Sequence, residues 1–280
     1  MEEIKRIIQS VLNENVSTIQ STGGGCIASA YKITTTKGKY FLKYYQTKSV
    51  SACEANGLKE IRKANKIRTP KVIWFDENYL LLEFIEEGRR GNKFWELFGN
   101  QLAELHKFTS DKFGFYENNF IGSTPQINLP QNPNWKNFYW ENRILYQIKL
   151  AERNGYSSDE LTKLAAKVES NLDKILNDDE TAALIHGDLW SGNFLCDSFG
   201  NPVLIDPAVS YSNREAELGM TMLFGGFDKN FYHTYNETLP LEKDWQERND
   251  FYQLYHVLNH LNLFGMGYYL QAVRILKKYA

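Results

Sequence analysis

The sequence predicts an α+β protein of two lobes: a small antiparallel β-sheet lobe with one helix, then a larger, mainly helical lobe. Three observations support this. Period-two alternation dominates residues 16–84, helical spacing dominates beyond Gly88, and the densest polar motif of the 280 residues, at 184–206, falls within the helical part. Strands in hairpin-joined runs, with one helix between the third and fourth, indicate an antiparallel sheet rather than a βαβ alternation.

Element by element, Ile4, Ile7, Ile8, Val11 and Leu12 recur at helical spacing and predict an N-terminal helix packed on the body. Strands follow at Val16–Ser21, Ile27–Thr35 and Lys39–Tyr45, the last two turning at Lys37-Gly38. A helix over Ser51–Ala64 precedes strands Val72–Phe75 and Tyr79–Phe84. Helices are expected at Phe94–Lys107, Trp135–Arg153 and Asp159–Leu176, with a long final one from Asp244 to Tyr279. Phe113–Pro133, rich in Asn, Gly and Pro, reads as a surface excursion, and Ala182–Ile205 as a short β-like island. The lobes are expected to divide into residues 1–85 and 86–280, with a ligand cleft between them.

Composition excludes several classes. With 32 Lys+Arg against 34 Asp+Glu and 42% hydrophobic residues, the chain is globular, and it lacks the basic excess of a nucleic-acid or acidic-membrane binder. Cys26, Cys53 and Cys196 form neither a disulfide framework nor a zinc ribbon, which fits a reducing compartment. The acidic start is unlike a signal peptide, and no apolar run approaches the roughly 18 residues of a membrane span. A cytoplasmic protein is expected, with no nucleic-acid or membrane partner.

Gly23-Gly24-Gly25-Cys26-Ile27-Ala28 formally fits a dinucleotide fingerprint, but a strand rather than a helix follows it. No Gly-Lys-Ser/Thr follows either, which excludes a P-loop. The loop reads as a hairpin tip, either merely flexible or able to present backbone N–H groups to phosphates. Lys43 sits within the apolar strand Tyr40–Tyr45. It either snorkels to solvent or needs an acidic partner, for which Glu54, eleven residues on, is the candidate.

The strongest signal is Leu184-Ile185-His186-Gly187-Asp188-Leu189-Trp190-Ser191-Gly192-Asn193, followed by Ile205-Asp206. Phosphoryl transfer needs a carboxylate at the attacking hydroxyl and oxygen ligands for magnesium. Asp188 supplies the first, and Asn193 and Asp206 the second.

HGDLWSGN, the string from Ile205 to Phe227 (IDPAVSYSNREAELGMTMLFGGF) and GGGCIASAYKI together resemble the fructosamine kinase (ketosamine 3-kinase) family, from Gly23 to at least Phe227. The resemblance implies a bilobal protein-kinase-like fold, related to aminoglycoside phosphotransferases. It also implies ATP-dependent phosphorylation of the sugar 3-hydroxyl of ketoamines, and hence deglycation repair. Asp188 would be the catalytic base, Asn193 and Asp206 the magnesium ligands, and Lys43 with Glu54 the phosphate-positioning pair. Glu83, Phe84 and Ile85 would form the adenine hinge. Partners would be ATP and a ketoamine, free or on a glycated protein.

Trp190 is either an acceptor wall or core. Arg214 and Glu215 brace the catalytic loop or touch the acceptor. Glu217 stands where relatives often have Asp. Cys26 is either a redox thiol, making the chain a redox-sensitive homodimer rather than a monomer, or a small residue that fits. Cys53 and Cys196 are expected in the core. His106 caps its helix or braces the catalytic loop, and the aromatic residues at 135–146 and 251–269 form core, some of them lining the acceptor pocket. Two other functions remain: an aminoglycoside or other amino-sugar phosphotransferase, and a nucleotide-binding pseudokinase that regulates.

Overall fold

A computed structural model of the chain describes residues 1–23, 28–177 and 181–280. The first helix, α1 (Glu2–Leu12), leads into strands β1 (Val16–Ser21), β2 (Ala28–Thr35) and β3 (Lys39–Tyr45), then helix α2 (Val50–Ala64) and strands β4 (Val72–Phe75) and β5 (Tyr79–Glu83). They form one antiparallel sheet in the order β1-β2-β3-β5-β4. The β2–β3 turn is closed by Thr35, whose hydroxyl accepts from the Lys37 and Gly38 N–H groups. Alternation along β3 sends Leu42 to the α1 face, where it packs with Ile4, Ile8, Ile33 and Leu81. Phe41 and Tyr45 face the opposite side, with Val50, Ala55, Leu58, Leu80 and Leu82. Lys43 shares that second face.

The helical lobe starts with α3 (Phe94–His106) and the short strand β6 (Thr109–Ser110), then the hairpin β7 (Asn119–Ile121) and β8 (Thr124–Gln126). Helix α4 (Trp135–Tyr139) passes through a π-turn (Trp140–Leu145) into α5 (Tyr146–Arg153), followed by α6 (Asp159–Ser170) and α7 (Leu172–Ile175). Strands β9 (Ala182–Ile185), β10 (Phe194–Cys196), β11 (Pro202–Leu204) and β12 (Ser210–Ser212) carry the polar motif. Helices α8 (Arg214–Leu223), α9 (Lys229–Thr238), α10 (Trp245–Phe264) and α11 (Tyr269–Tyr279) complete the chain. The largest core joins Phe98, Leu102, Trp135, Tyr139, Tyr252 and Leu258, and takes in Ile61 and Ala64 at the end of α2.

Several expectations need correction. Residues 113–133 are not a surface excursion: Phe113, Phe115 and Ile121 are buried, as are the amides of Asn119, Gln126 and Asn128. The final helix breaks at Gly265, whose φ of +87° ends α10, and a 3₁₀ turn over Met266–Tyr268 leads into α11. The predicted helix at 159–176 is interrupted at Asn171. Helices α8 and α9 lie where no helix was expected.

Two segments, the α2–β4 connection and the linker after β5, are tied to the same hairpin, β10–β11. Arg68, between α2 and β4, bridges Val203 in parallel, and its carbonyl accepts from Leu204 N–H at 2.9 Å. Glu87, after β5, bridges Asp197, and Gly88 N–H donates to Cys196 O at 2.9 Å. The Arg68 guanidinium then joins Glu83 at 2.6 Å to the nearly buried Asp197 at 2.5 Å.

Candidate active site

A cavity of about 1000 Å³ lies between the sheet and the helical lobe. Gly23, Lys43, Glu54, Glu83, Phe84, Ile85, Asp188, Trp190, Asn193 and Asp206 all line it. Gly24, Gly25 and Cys26 lie outside the described residues. Arg214 is corrected: it does not line the cavity. It is buried at the start of α8 and donates to the Leu239 and Pro240 carbonyls at 2.7 and 2.6 Å, bracing that turn. Cys53 is also corrected, being half-buried on the cavity wall, where burial pushes its thiol up to about 11. Cys196 is buried as expected.

Strand β3 brings Lys43 to the cavity, and α2 brings Glu54. The Lys43 ammonium donates to both Glu54 oxygens, at 2.9 and 3.1 Å, and to Asp206 Oδ1 at 2.6 Å. Tyr45, two residues on along the same face of β3, also donates to Glu54. Burial alone would depress Lys43, but Asp206 and Glu54 outweigh it and hold the ammonium well above its ordinary value. Lys43 is therefore a fixed cation.

The loop from His186 to Asn193 is shaped by its backbone contacts. Gly187 has φ +85°, and a Cβ there would stand 2.1 Å from Ala208 O, so no other residue fits. The His186 ring is fully buried; its Nδ1 accepts from Asp188 N–H at 3.3 Å and its Nε2 donates to Ile205 O at 2.7 Å. Burial lowers its basicity, and these two bonds suit the neutral ring. Glu217 on α8 accepts from the His186 and Gly187 N–H groups, fixing the loop from below. His106 Nε2 approaches Glu217 at 3.8 Å, while its Nδ1 meets Tyr235 OH at 2.7 Å. Glu217 therefore holds this loop, and His106 backs it.

Asn193 donates both amide protons inward, to Asp188 O at 2.7 Å and Asp188 Oδ2 at 2.9 Å. Its side-chain oxygen is the atom left to coordinate. Ile205 N–H donates to Asn193 O at 3.0 Å, which places Asn193 and Asp206 side by side. Half-buried at the cleft floor, Asp188 has its carboxyl raised well above the usual carboxylate range by burial. Asn193 opposes that shift, and Glu217 and Asp206 add to it.

Beyond Asp188 the cavity wall is aromatic and uncharged. Trp190 packs edge-on to Phe224 at 5.8 Å, and its ring covers Gly192, where a Cβ would lie 2.4 Å from the indole. His260 stands between Phe224, Phe264 and Tyr268, with centroids 5.3, 5.5 and 5.1 Å away, and its Nδ1 donates to His256 O at 2.6 Å. The β7–β8 hairpin supplies Asn119 to Ser123 on the same side. Sequence reasoning anticipated some aromatic lining from residues 251–269, but missed Phe224 and this hairpin. The signal available for the hairpin was Gly122-Ser123 between the short runs Asn119–Ile121 and Thr124–Gln126.

A sequence model described as fructosamine kinase matches residues 1–280. The chain belongs to the fructosamine kinase family. Among curated relatives, this family member is 39% identical to the chloroplastic protein-ribulosamine 3-kinase of Arabidopsis thaliana, over 94% of this chain and 83% of that one. It is 40% identical to the protein of the same name from Oryza sativa subsp. indica, over 98% and 83% of the two chains. A solved structure of a fructosamine-3-kinase candidate from Thermobifida fusca superposes with a TM-score of 0.92 at 30% identity, covering 100% and 99%. An aminoglycoside phosphotransferase in complex with streptomycin and ATP shares the fold, with a TM-score of 0.67 at 14% identity over 99% and 95% of the two chains. The protein-kinase-like α+β fold is thus shared beyond the family. Among the described residues, no helix is long and apolar enough to cross a membrane.

Proposed function

We propose that the chain transfers the γ-phosphoryl group of ATP to the sugar 3-hydroxyl of a ketoamine of the fructosamine or ribulosamine type, in the cytoplasm. Residues 1–85 grip the nucleotide, and residues 86–280 provide catalysis and acceptor binding. The observation that carries this reading is the convergence of Lys43, Glu54, Asp188, Asn193 and Asp206 on one cavity whose acceptor side, among the described residues, bears no carboxylate besides Asp188. The implied repair follows from the chemistry, because a 3-phosphate destabilises the adduct and releases the amine.

Asp188 accepts the proton of the attacking hydroxyl. Its raised proton affinity suits a general base. As the new O–P bond forms, the bond to the ADP oxygen breaks. Lys43 neutralises phosphate oxygens while Glu54 holds its ammonium in place. Glu83 and Ile85 offer backbone groups to adenine, with Phe84 between them. Magnesium fits the remaining groups: Asn193 and Asp206 are hard oxygen donors, and in their present arrangement the Lys43 ammonium supplies the positive charge at Asp206. Bound there, magnesium would neutralise charge developing on the phosphates. Trp190 forms an apolar wall for the sugar.

A polycationic aminoglycoside would need acidic groups around Trp190, Phe224 and His260. Apart from Asp188, the cavity's carboxylates among the described residues lie elsewhere: Glu54 and Asp206 are held by Lys43, Glu83 by Arg68, and Glu87 lies at the linker. A pseudokinase has no use for Asp188 so placed. Purified protein is expected to consume ATP with a ribulose- or fructose-amine, and not with an aminoglycoside or with no acceptor. Turnover with the aminoglycoside alone would overturn the proposal.

A further inference from the structure

Between α4 and α5 the helix widens into a π-turn, a distortion often found where a side chain is aimed at a working site. Here it carries Arg143, which is 3% exposed and has no carboxylate within ion-pair reach among the described residues. An unpaired buried guanidinium is costly, so its protons must find neutral acceptors. They go to the Ile127 carbonyl, to Asn142 O at 3.3 Å and to Asn128 Oδ1 at 2.7 Å. The rings of Phe138 and Tyr255 lie 4.8 and 5.7 Å from the cation.

Arginine only donates, and that sets a direction. Asn128 must turn its oxygen to Arg143, so its amide donates onward, to Glu117 O at 3.1 Å and Asn119 Oδ1 at 2.8 Å. Asn119 then accepts, from Gln126 as well at 2.9 Å, and its own amide donates to Val209 O at 2.8 Å. Gln126 also donates to Ala208 O at 2.9 Å and accepts from Tyr255 OH at 2.9 Å. The chain thus ends on the two carbonyls just past Asp206, a residue held at φ +57°. The same short segment supports α2, since a Cβ on Gly57 would lie 3.1 Å from Val209 and 3.3 Å from Pro207.

We infer that Arg143 is a positioning residue for phosphoryl transfer, acting through this one-way chain of amides to fix the backbone that presents Asp206. The inference rests on the proposed role of Asp206 as a cation ligand. Asn128→Asp tests it. The substitution keeps the shape and gives the guanidinium a carboxylate, but removes both donated protons. A merely structural Arg143 predicts unchanged or higher thermal stability with wild-type catalysis. Positioning predicts retained stability, Mn²⁺ binding in the presence of ADP weakened about 10-fold by calorimetry, kcat lowered by a similar factor, and metal-free ADP binding unchanged. Gln126→Glu cuts the Ala208 end while leaving Arg143 and Asn128 joined; it should reproduce the metal defect, and it decides the matter if Asn128→Asp does not fold. Wild-type Mn²⁺ affinity and kcat in the folded variants overturn the inference. Asp206→Asn is the control: if Mn²⁺ affinity survives it, the cation-ligand reading falls and the inference with it.

Discussion

Asp188 owes its position to three contacts: its own N–H on the His186 ring, the Asn193 amide on its carboxyl, and the Glu217 grip on the two preceding N–H groups. None of them needs the carboxyl to act as a base, so the proposed base can be removed without dismantling the loop. Asp188→Asn is expected to lower kcat by about 10²–10⁴-fold while ATP affinity stays within a few-fold. Single-turnover measurement with a ribulosamine checks this, and near-normal turnover would mean the base is elsewhere. Residues of this kind were legible because their chemistry demands them. A mid-strand Lys43 calls for a counter-charge, and Glu54 one helix later supplies it. Arg214 stayed open between two readings because a buried arginine that caps carbonyls and one that meets a ligand look alike in a sequence.

The elements of the sheet were readable from alternation, and the β2–β3 and β4–β5 pairings from hairpin spacing, but not the β3–β5 pairing that joins them. The segment at 113–133 was not. Its Asn, Gly and Pro content signals a loop, and only the folded molecule shows that the amides satisfy one another and can therefore be buried. The tether between linker and hairpin was equally hidden, because Arg68 and Asp197 are 129 residues apart. Asp197 is 2% exposed on its side chain and also accepts from Phe199 and Asn201 N–H. Arg68→Ala leaves that carboxylate without its cation and should destabilise the fold by about 1–2 kcal/mol. Urea denaturation measures the loss, and a midpoint within error of wild type would show that the backbone bridges alone hold the connection.

For the whole molecule, acid is the expected weakness. His106, His186, His256 and His260 are all depressed by burial, His256 to about 3, with His260 and Arg143 adding repulsion there. A histidine that is less basic when folded binds more protons when unfolded. Its stabilising effect is complete above the ordinary value of 6.5 and is lost as pH falls from there toward about 3. At pH 5 His256 alone should cost about 2 kcal/mol relative to neutral pH. Denaturation of wild type and His256→Asn at pH 7.5 and 5 isolates it: the stability drop should be smaller in the variant by about that amount, and equal drops would show that His256 is not the acid-sensitive group.

The β10–β11 hairpin has a further consequence. Asn193 directly precedes one strand and Ile205-Asp206 directly follows the other, so the ladder pairing Phe194 with Leu204 sets the gap between the two oxygen donors. The α2–β4 connection and the linker after β5 both grip that same ladder farther along. Because both donors flank one ladder within one lobe, their spacing does not depend on where the sheet lobe sits. The entropy of bringing the two donors together was spent once, at folding, and is not charged again at each catalytic cycle.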